Sequence, residues 1–269
     1  MTAALLRRPT APDAQGRVLH VTPENAGWRY VGFDLHRLAA GQIIAGGEAG
    51  REVCLVPVTG TVTVVAGGQR FGGVGRRTTP FEGKPSAVFV PAGTKWQVEA
   101  GDAAELAVCS APGAPGLPPR LIDGRTLATE ERGTGSNRRL VHNILPEGEP
   151  AESLLVVEVI TPAGNWSSYP PHKHDRDDFP AETLLEETYY HRLNPPQGFA
   201  LQRVYTDDRD LDETMAVTDG DCVLVPRGYH PVGAPHGYAL YYLNVMAGPR
   251  RAWRFHNDPA HEWMLKPPG

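Results

Sequence analysis

The sequence predicts an all-β protein, and three observations predict it. Runs of β-branched and apolar residues recur along the chain, each bounded by glycine or proline. Glycine (30) and proline (26) are frequent enough among the 269 residues to leave little room for long helices. One pattern, an apolar run ending in Pro, any residue, Gly and a return strand, occurs at 86–98 and again at 221–233. Short strands separated by such turns are the signature of a sandwich or barrel.

Each segment supports this in turn. The N-terminal "MTAALLRR" has an apolar run too short for a secretory signal. "VCLVPVTGTVTVVAGG" reads as strand ending on a glycine pair, and "SAVFVPAGTKWQV" ends a strand at Pro91 and turns on Gly93. "SLLVVEVITPAGNW" repeats the strand-then-turn form. Only Ala181 to Glu187, "AETLLEE", has helix-friendly composition, and a short helix is expected there. "DCVLVPRGYHPVG" closes the series with the second copy of the corner.

Composition narrows the function. The chain is 41% hydrophobic and 21% charged, enough for one large domain or two of about 100 to 150 residues. A net charge of -5 and a pI near 6.1 provide no basic field for nucleic acid or an anionic membrane, so a small molecule is the expected partner. No apolar stretch approaches the roughly 20 residues that span a bilayer. Cys54, Cys109 and Cys222 lack any close-spaced metal or redox motif and read as small buried hydrophobes, which suits a reducing cytoplasm.

The chemistry gathers around "PPHKHD". On a strand His172 and His174 point the same way and Lys173 the other. In "EETYYHR" the same alternation groups Glu187, Tyr189 and His191 on one face and Glu186, Tyr190 and Arg192 on the other. The second corner copy ends at His230. Taken singly, a histidine is more often a hydrogen-bonded or surface residue than a ligand. Three neutral imidazoles with one carboxylate, however, suit a divalent ion with positions left open to substrate.

An HxH pair, a following glutamate and a Gly…Pro-x-Gly…His string together resemble the cupin superfamily. Gly220, Pro226, Gly228 and His230 match its second motif, with one residue fewer before the histidine. The first motif is stretched: Gly164 lies farther before His172, and Glu186 and Glu187 farther after His174, with "DRDDFPAETLLE" between. The resemblance implies a double-stranded β-helix, or jelly-roll, barrel, and the repeated corner implies two of them. The expectation is a bicupin with few short helices: residues 1–125 a degenerate cupin, and 126–269 the cupin that carries the metal. Lys95 or Trp96 stands where the second copy has His230, so the first has no ligand set. His172, His174, Glu187 and His230 are the implied ligands. Glu187 is preferred to Glu186 because the cupin glutamate tends to open a strand. The ion is Zn, Mn, Fe, Co or Ni, with zinc placed first.

Longer strings are more specific. "GNWSSYPPHKHD", "EETYYHRLNPPQGFALQRVYTDDRDLDETMAV", "DGDCVLVPRGYHPVGAPHGYALYYLNVMAGP" and "NDPAHEW" look like the 5-deoxy-glucuronate isomerase family of bacterial myo-inositol catabolism, and "GWRYVGFDLHRL" extends the likeness to the N-terminal half. The resemblance implies isomerisation of 5-deoxy-D-glucuronate to 5-dehydro-2-deoxy-D-gluconate, metal-assisted through an enediolate. Such a reaction needs a Lewis acid at the C1 and C2 oxygens and either a group that handles protons near neutral pH or a hydride shift between the carbons, which needs no base. His191 and Tyr189 are the candidates, each with core packing as an equal alternative. The substrate carboxylate needs a cation, for which Arg203 is the first choice and Lys173, Arg192 and Arg227 the alternatives. Tyr241 could offer a hydroxyl. A homo-oligomer is expected. The competing functions are an Fe(II) cupin dioxygenase and a non-catalytic sugar-binding cupin. The second is weakened by the lack of any helix-turn-helix pattern.

Overall fold

Side chains alternate along a strand, so every sheet has two faces, and here the two faces have different tasks. The structure, a computed structural model, describes residues 4–265. The first half runs β1 (Leu6–Arg7), β2 (Arg17–Val21), β3 (Gly32–Leu38), β4 (Ile43–Gly46), β5 (Arg51–Ala66), β6 (Gln69–Arg77), β7 (Ala87–Val90), β8 (Trp96–Ala100), β9 (Ala104–Pro112) and β10 (Arg120–Ile122). The second runs β11 (Glu130–Arg132), β12 (Arg139–Leu145), β13 (Leu155–Thr161), β14 (Trp166–Ser167), β15 (His172–Lys173), β16 (Glu186–Asn194), β17 (Ala200–Tyr205), β18 (Asp212–Val217), β19 (Cys222–Val225), β20 (Val232–Gly233), β21 (Ala239–Ala247) and β22 (His256–Asn257).

One large sheet has the order β10-β7-β5-β9-β3-β2, and the other β1-β19-β16-β21-β13-β12-β11. The orders correspond: β7, β5, β9, β3 and β2 match β19, β16, β21, β13 and β12. The two corner copies therefore fill the same place in two barrels, β7 beside β5 and β19 beside β16. The chain is a bicupin.

One edge strand crosses from the first half into the second barrel. β1 lies at the start of the chain yet pairs with β19 of the second barrel, and Leu5 packs into that barrel's core. β10, the last strand of the first half, stays with its own barrel and pairs with β7.

One face of each large sheet packs on the other barrel. Phe33, Leu35, Cys54, Val56, Phe89 and Cys109 meet Tyr190, Cys222, Leu224, Tyr241 and Leu243 there, and Phe33 stacks on Tyr190 with ring centroids 5.8 Å apart. The three cysteines are free and buried in this layer. Carboxylates fasten it from both sides. Glu52, near the start of β5, accepts the backbone N–H groups of Glu152, Ser153 and Leu154, while Glu186, at the start of β16, accepts those of Arg29, Tyr30 and Val31. Between them Arg77 forks onto buried Glu158 at 2.9 and 2.7 Å.

The expected helix at Ala181 to Glu187 does not form. Thr183 N–H donates to Arg254 and Leu185 N–H to His174, so long-range partners take the bonds a helix would need, and Glu186 and Glu187 open β16. A helix appears instead at Pro23–Ala26, where Thr22 and Asn25 form a capping box and Gly27 at φ 73° ends the turn. Among the described residues no helix is long and apolar enough to cross a membrane.

Candidate metal centre

The opposite face of the second sheet forms the interior of its barrel. Tyr189, Leu193, Val157, Val159 and Tyr242 pack there against Val204, Val217 and Val232 of the smaller sheet β14-β20-β17-β18. Glu187, at the same parity as Tyr189, joins them and is 1% exposed.

Two histidines reach this point with their rings fixed by backbone. His174 Nδ1 lies 3.0 Å from the Leu185 carbonyl and His230 Nδ1 lies 2.8 Å from the Gly228 carbonyl. A carbonyl oxygen only accepts, so each Nδ1 carries a proton and each Nε2 faces inward. The corner that aims His230 depends on Gly228: its φ is 90°, and a Cβ there would press on the Tyr205 carbonyl. His172 comes from β15, which is held by β22 through the pairs His172↔Asn257 and Lys173↔His256.

The ligating atoms of His172, His174 and His230 lie within 4.8 Å of one another, and all three side chains are buried. Glu187 Oε2 sits 3.2 Å from His174 Nε2 and 3.3 Å from His230 Nε2. Burial, then the neighbouring histidines, hold His172 well below the usual imidazole range. Burial likewise lowers His230 to about 4 against the pull of Glu187. Burial also opposes charge on His174, but the Glu187 carboxylate more than offsets it and raises that imidazole. His230 Nε2 is close to Glu187 but not aligned with it, and is buried without a hydrogen-bond partner. Convergent imidazoles, two of them held neutral by burial, with an orphaned nitrogen and one carboxylate fit a divalent ion, which would take the place of the proton between His174 and Glu187.

His172 also borders a cavity of about 620 Å³, with Tyr189, Ser168, Tyr242, Asn244, Trp253 and Phe255 in its walls. The Tyr189 hydroxyl is 2.9 Å from Ser168 Oγ, and burial, followed by the Glu187 charge, raises its pKa well above the usual phenol value. His191 stacks behind Tyr189 at 5.9 Å and is outside the cavity lining. Its Nε2 pairs with Gln202 at 2.9 Å, and burial lowers it to about 4.

None of the five residues expected at the substrate lines this cavity. Strand parity turns Arg203 outward, where it pairs with Asp212, because Ala200, Gln202 and Val204 face in. Lys173 points away from its flanking histidines to Asp175 and Asp207. Arg192 spans the barrel interface to Glu105 and Asp219, and Arg227 pairs with Asp210 at the surface. Tyr241 faces the other barrel and donates to Glu158 at 3.0 Å. The cations that do line the cavity are Arg132 and Arg139. Alternation in "RLVHNIL" places Arg139 with Val141 on the inner face, a signal available in the sequence.

The KduI/IolB family model matches residues 5–264. The chain is 55% identical to the 5-deoxy-glucuronate isomerase of Geobacillus kaustophilus over 95% of its own length and 93% of the relative. It is 50% identical to that of Bacillus subtilis over 97% and 98%. The crystal structure of an IolB-like protein from Salmonella typhimurium superposes with a TM-score of 0.95 at 54% identity, covering 98% of this chain and all of that one. Oxalate decarboxylase of Bacillus subtilis, described with Mn(II) centres, shares the fold at a TM-score of 0.65 and 13% identity, covering 96% of this chain and 80% of that one. Two packed barrels, one with convergent histidines and a glutamate beside a cavity, thus come with a match along nearly the whole chain, and the protein belongs to the KduI/IolB family.

Proposed function

We infer that the protein is an aldose-ketose isomerase that converts 5-deoxy-D-glucuronate to 5-dehydro-2-deoxy-D-gluconate. The observation that carries this is the group of His172, His174, His230 and Glu187 at the edge of a cavity, in a chain about half identical to isomerases of that name. These four residues would hold a divalent ion, with zinc the first choice because the reaction needs no change of metal oxidation state. Such an ion, when bound, supplies a Lewis acid that polarises the substrate carbonyl.

The reaction needs no external oxidant. The proton on C2 departs, one arrives at C1, and the C2 hydroxyl proton passes to the C1 oxygen. Tyr189 keeps its phenol proton and stands beside Ser168 in the cavity wall, so this hydroxyl pair serves the oxygen-to-oxygen transfer. His191, neutral and bonded to Gln202, supports the Tyr189 ring from behind. Trp253, Phe255 and Tyr242 line the cavity and limit water around the reacting carbons.

The buried free thiols suit a cytoplasmic enzyme. Trp166 and Leu201, both paired with Gly233 and about two-fifths exposed, offer apolar outer surface to a second copy in a homo-oligomer.

Anaerobic incubation of metal-loaded protein with 5-deoxy-glucuronate in D2O, followed by NMR, tests the assignment. The ketone should form with deuterium at C1 and disappear after treatment with a chelator. Absence of conversion by the loaded enzyme would refute the isomerase function, and a strict oxygen requirement would favour a dioxygenase.

A further inference from the structure

The cavity contains two guanidinium groups that the ion site does not use. Arg132 on β11 and Arg139 on β12 are direct cross-strand partners, and both line the cavity that His172 and Tyr189 border. Like charges placed opposite each other on neighbouring strands destabilise the pair. Arg132 is partly relieved: its Nη2 lies 2.7 Å from Glu130, and its guanidinium sits 5.5 Å from the Trp253 ring centre. Arg139 is not. Its Nη1 donates to the Asn137 carbonyl at 3.0 Å, and among the described residues no carboxylate stands within ion-pair distance of it. It is half-buried, so solvent compensates the charge incompletely.

The surrounding backbone makes room for this arrangement. Gly133 has φ 75°, and a Cβ at that position would lie 2.8 Å from Arg139 Nη1. Strand parity aims Arg139 inward with Val141, toward Tyr242 and Asn244 on the cavity wall. A half-buried fork of donors, opposed by a second cation and without an acid of its own, is electrostatically incomplete until an anion enters.

We propose that Arg139, assisted by Arg132, binds the substrate's carboxylate and makes the enzyme selective for aldoses that carry an acid at the far end of the carbon chain. This rests on the assignment of the same cavity to the isomerase reaction. The aldehyde end lies toward the histidines and the acid end toward the arginines, which fixes the direction in which the substrate enters.

The test compares 5-deoxy-glucuronate with 5-deoxy-glucose, its neutral counterpart, on wild type, Arg139→Gln and Arg139→Lys, all metal-loaded. Wild type should prefer the acid. In Arg139→Gln the ratio of kcat/KM values, acid over neutral, should fall roughly 10- to 100-fold through KM, with metal content retained. Arg139→Lys keeps the charge but loses the fork and should fall between them. A merely structural arginine would lower both substrates together, so an unchanged ratio overturns the proposal. Calorimetric titration with D-glucuronate gives a readout independent of turnover: wild type should bind it and Arg139→Gln should bind it at least 10-fold more weakly. Equal binding by the two proteins also overturns the proposal. Binding that depends on Arg139 in an enzyme that isomerises neither sugar would refute the reaction and leave the carboxylate site standing.

Discussion

The contact between the barrels can be tested at Arg77. Glu158 is fully buried and receives Arg77 Nη1 and Nη2 at 2.9 and 2.7 Å, His142 Nδ1 at 2.8 Å and the Tyr241 hydroxyl at 3.0 Å. Arg77→Met keeps much of the side chain's volume but leaves the carboxylate with two partners in place of an ion pair. Stranding a buried charge in this way costs about 3–5 kcal/mol. Burial pushes the Glu158 pKa up, but Arg77 and then His142 outweigh it, so the folded value lies below the usual 4.5. A depressed pKa contributes stability that is present above the unfolded value and lost as pH falls through the folded one. In Arg77→Met burial prevails, and folded Glu158 takes up a proton more readily. The gap between wild type and variant should therefore be widest above the variant's raised Glu158 pKa and shrink as pH falls from there through the wild type's depressed one. Urea unfolding followed by tryptophan fluorescence and circular dichroism measures it. Arg77→Met/Glu158→Gln should recover part of the loss, because no charge is then stranded. A loss below about 1 kcal/mol at neutral pH, or a gap that widens on acidification, would refute the reasoning.

Two other predictions concern neighbouring residues with different duties. Glu186→Gln should lower stability by about 1–3 kcal/mol, since its carboxylate accepts three backbone N–H groups of the other barrel, and should retain bound metal. Glu187→Gln should melt within a few degrees of wild type but lose the ion on dialysis; thermal melts and elemental analysis would detect the reverse pattern. Gly228→Ala should lower both the melting temperature and metal occupancy, because φ 90° and the Tyr205 carbonyl exclude a side chain at the corner that holds His230. Unchanged occupancy would show that this corner does not set the histidine's position.

The sequence by itself determined what depends on local repetition and alternation. Apolar runs between glycines and the twice-used Pro-x-Gly corner specified all-β barrels in duplicate, because strand period and turn chemistry are written in neighbouring residues. Parity alone grouped Glu187 with Tyr189 and separated Lys173 from its two flanking histidines. Composition misled at "AETLLEE", where helix propensity lost to backbone bonds offered by His174 and Arg254, residues distant in the chain or across a turn. Only the tertiary structure decided that β1 belongs to the second barrel and that Glu186 fastens the interface. It also showed that Arg203, Arg192 and Arg227 are occupied by Asp212, Asp219 and Asp210, while among the described residues no acid pairs with Arg139. The physical reason is that a charged side chain's role follows from which partner satisfies it. Here those partners are set by strand pairing across the fold, and their positions along the chain do not reveal them.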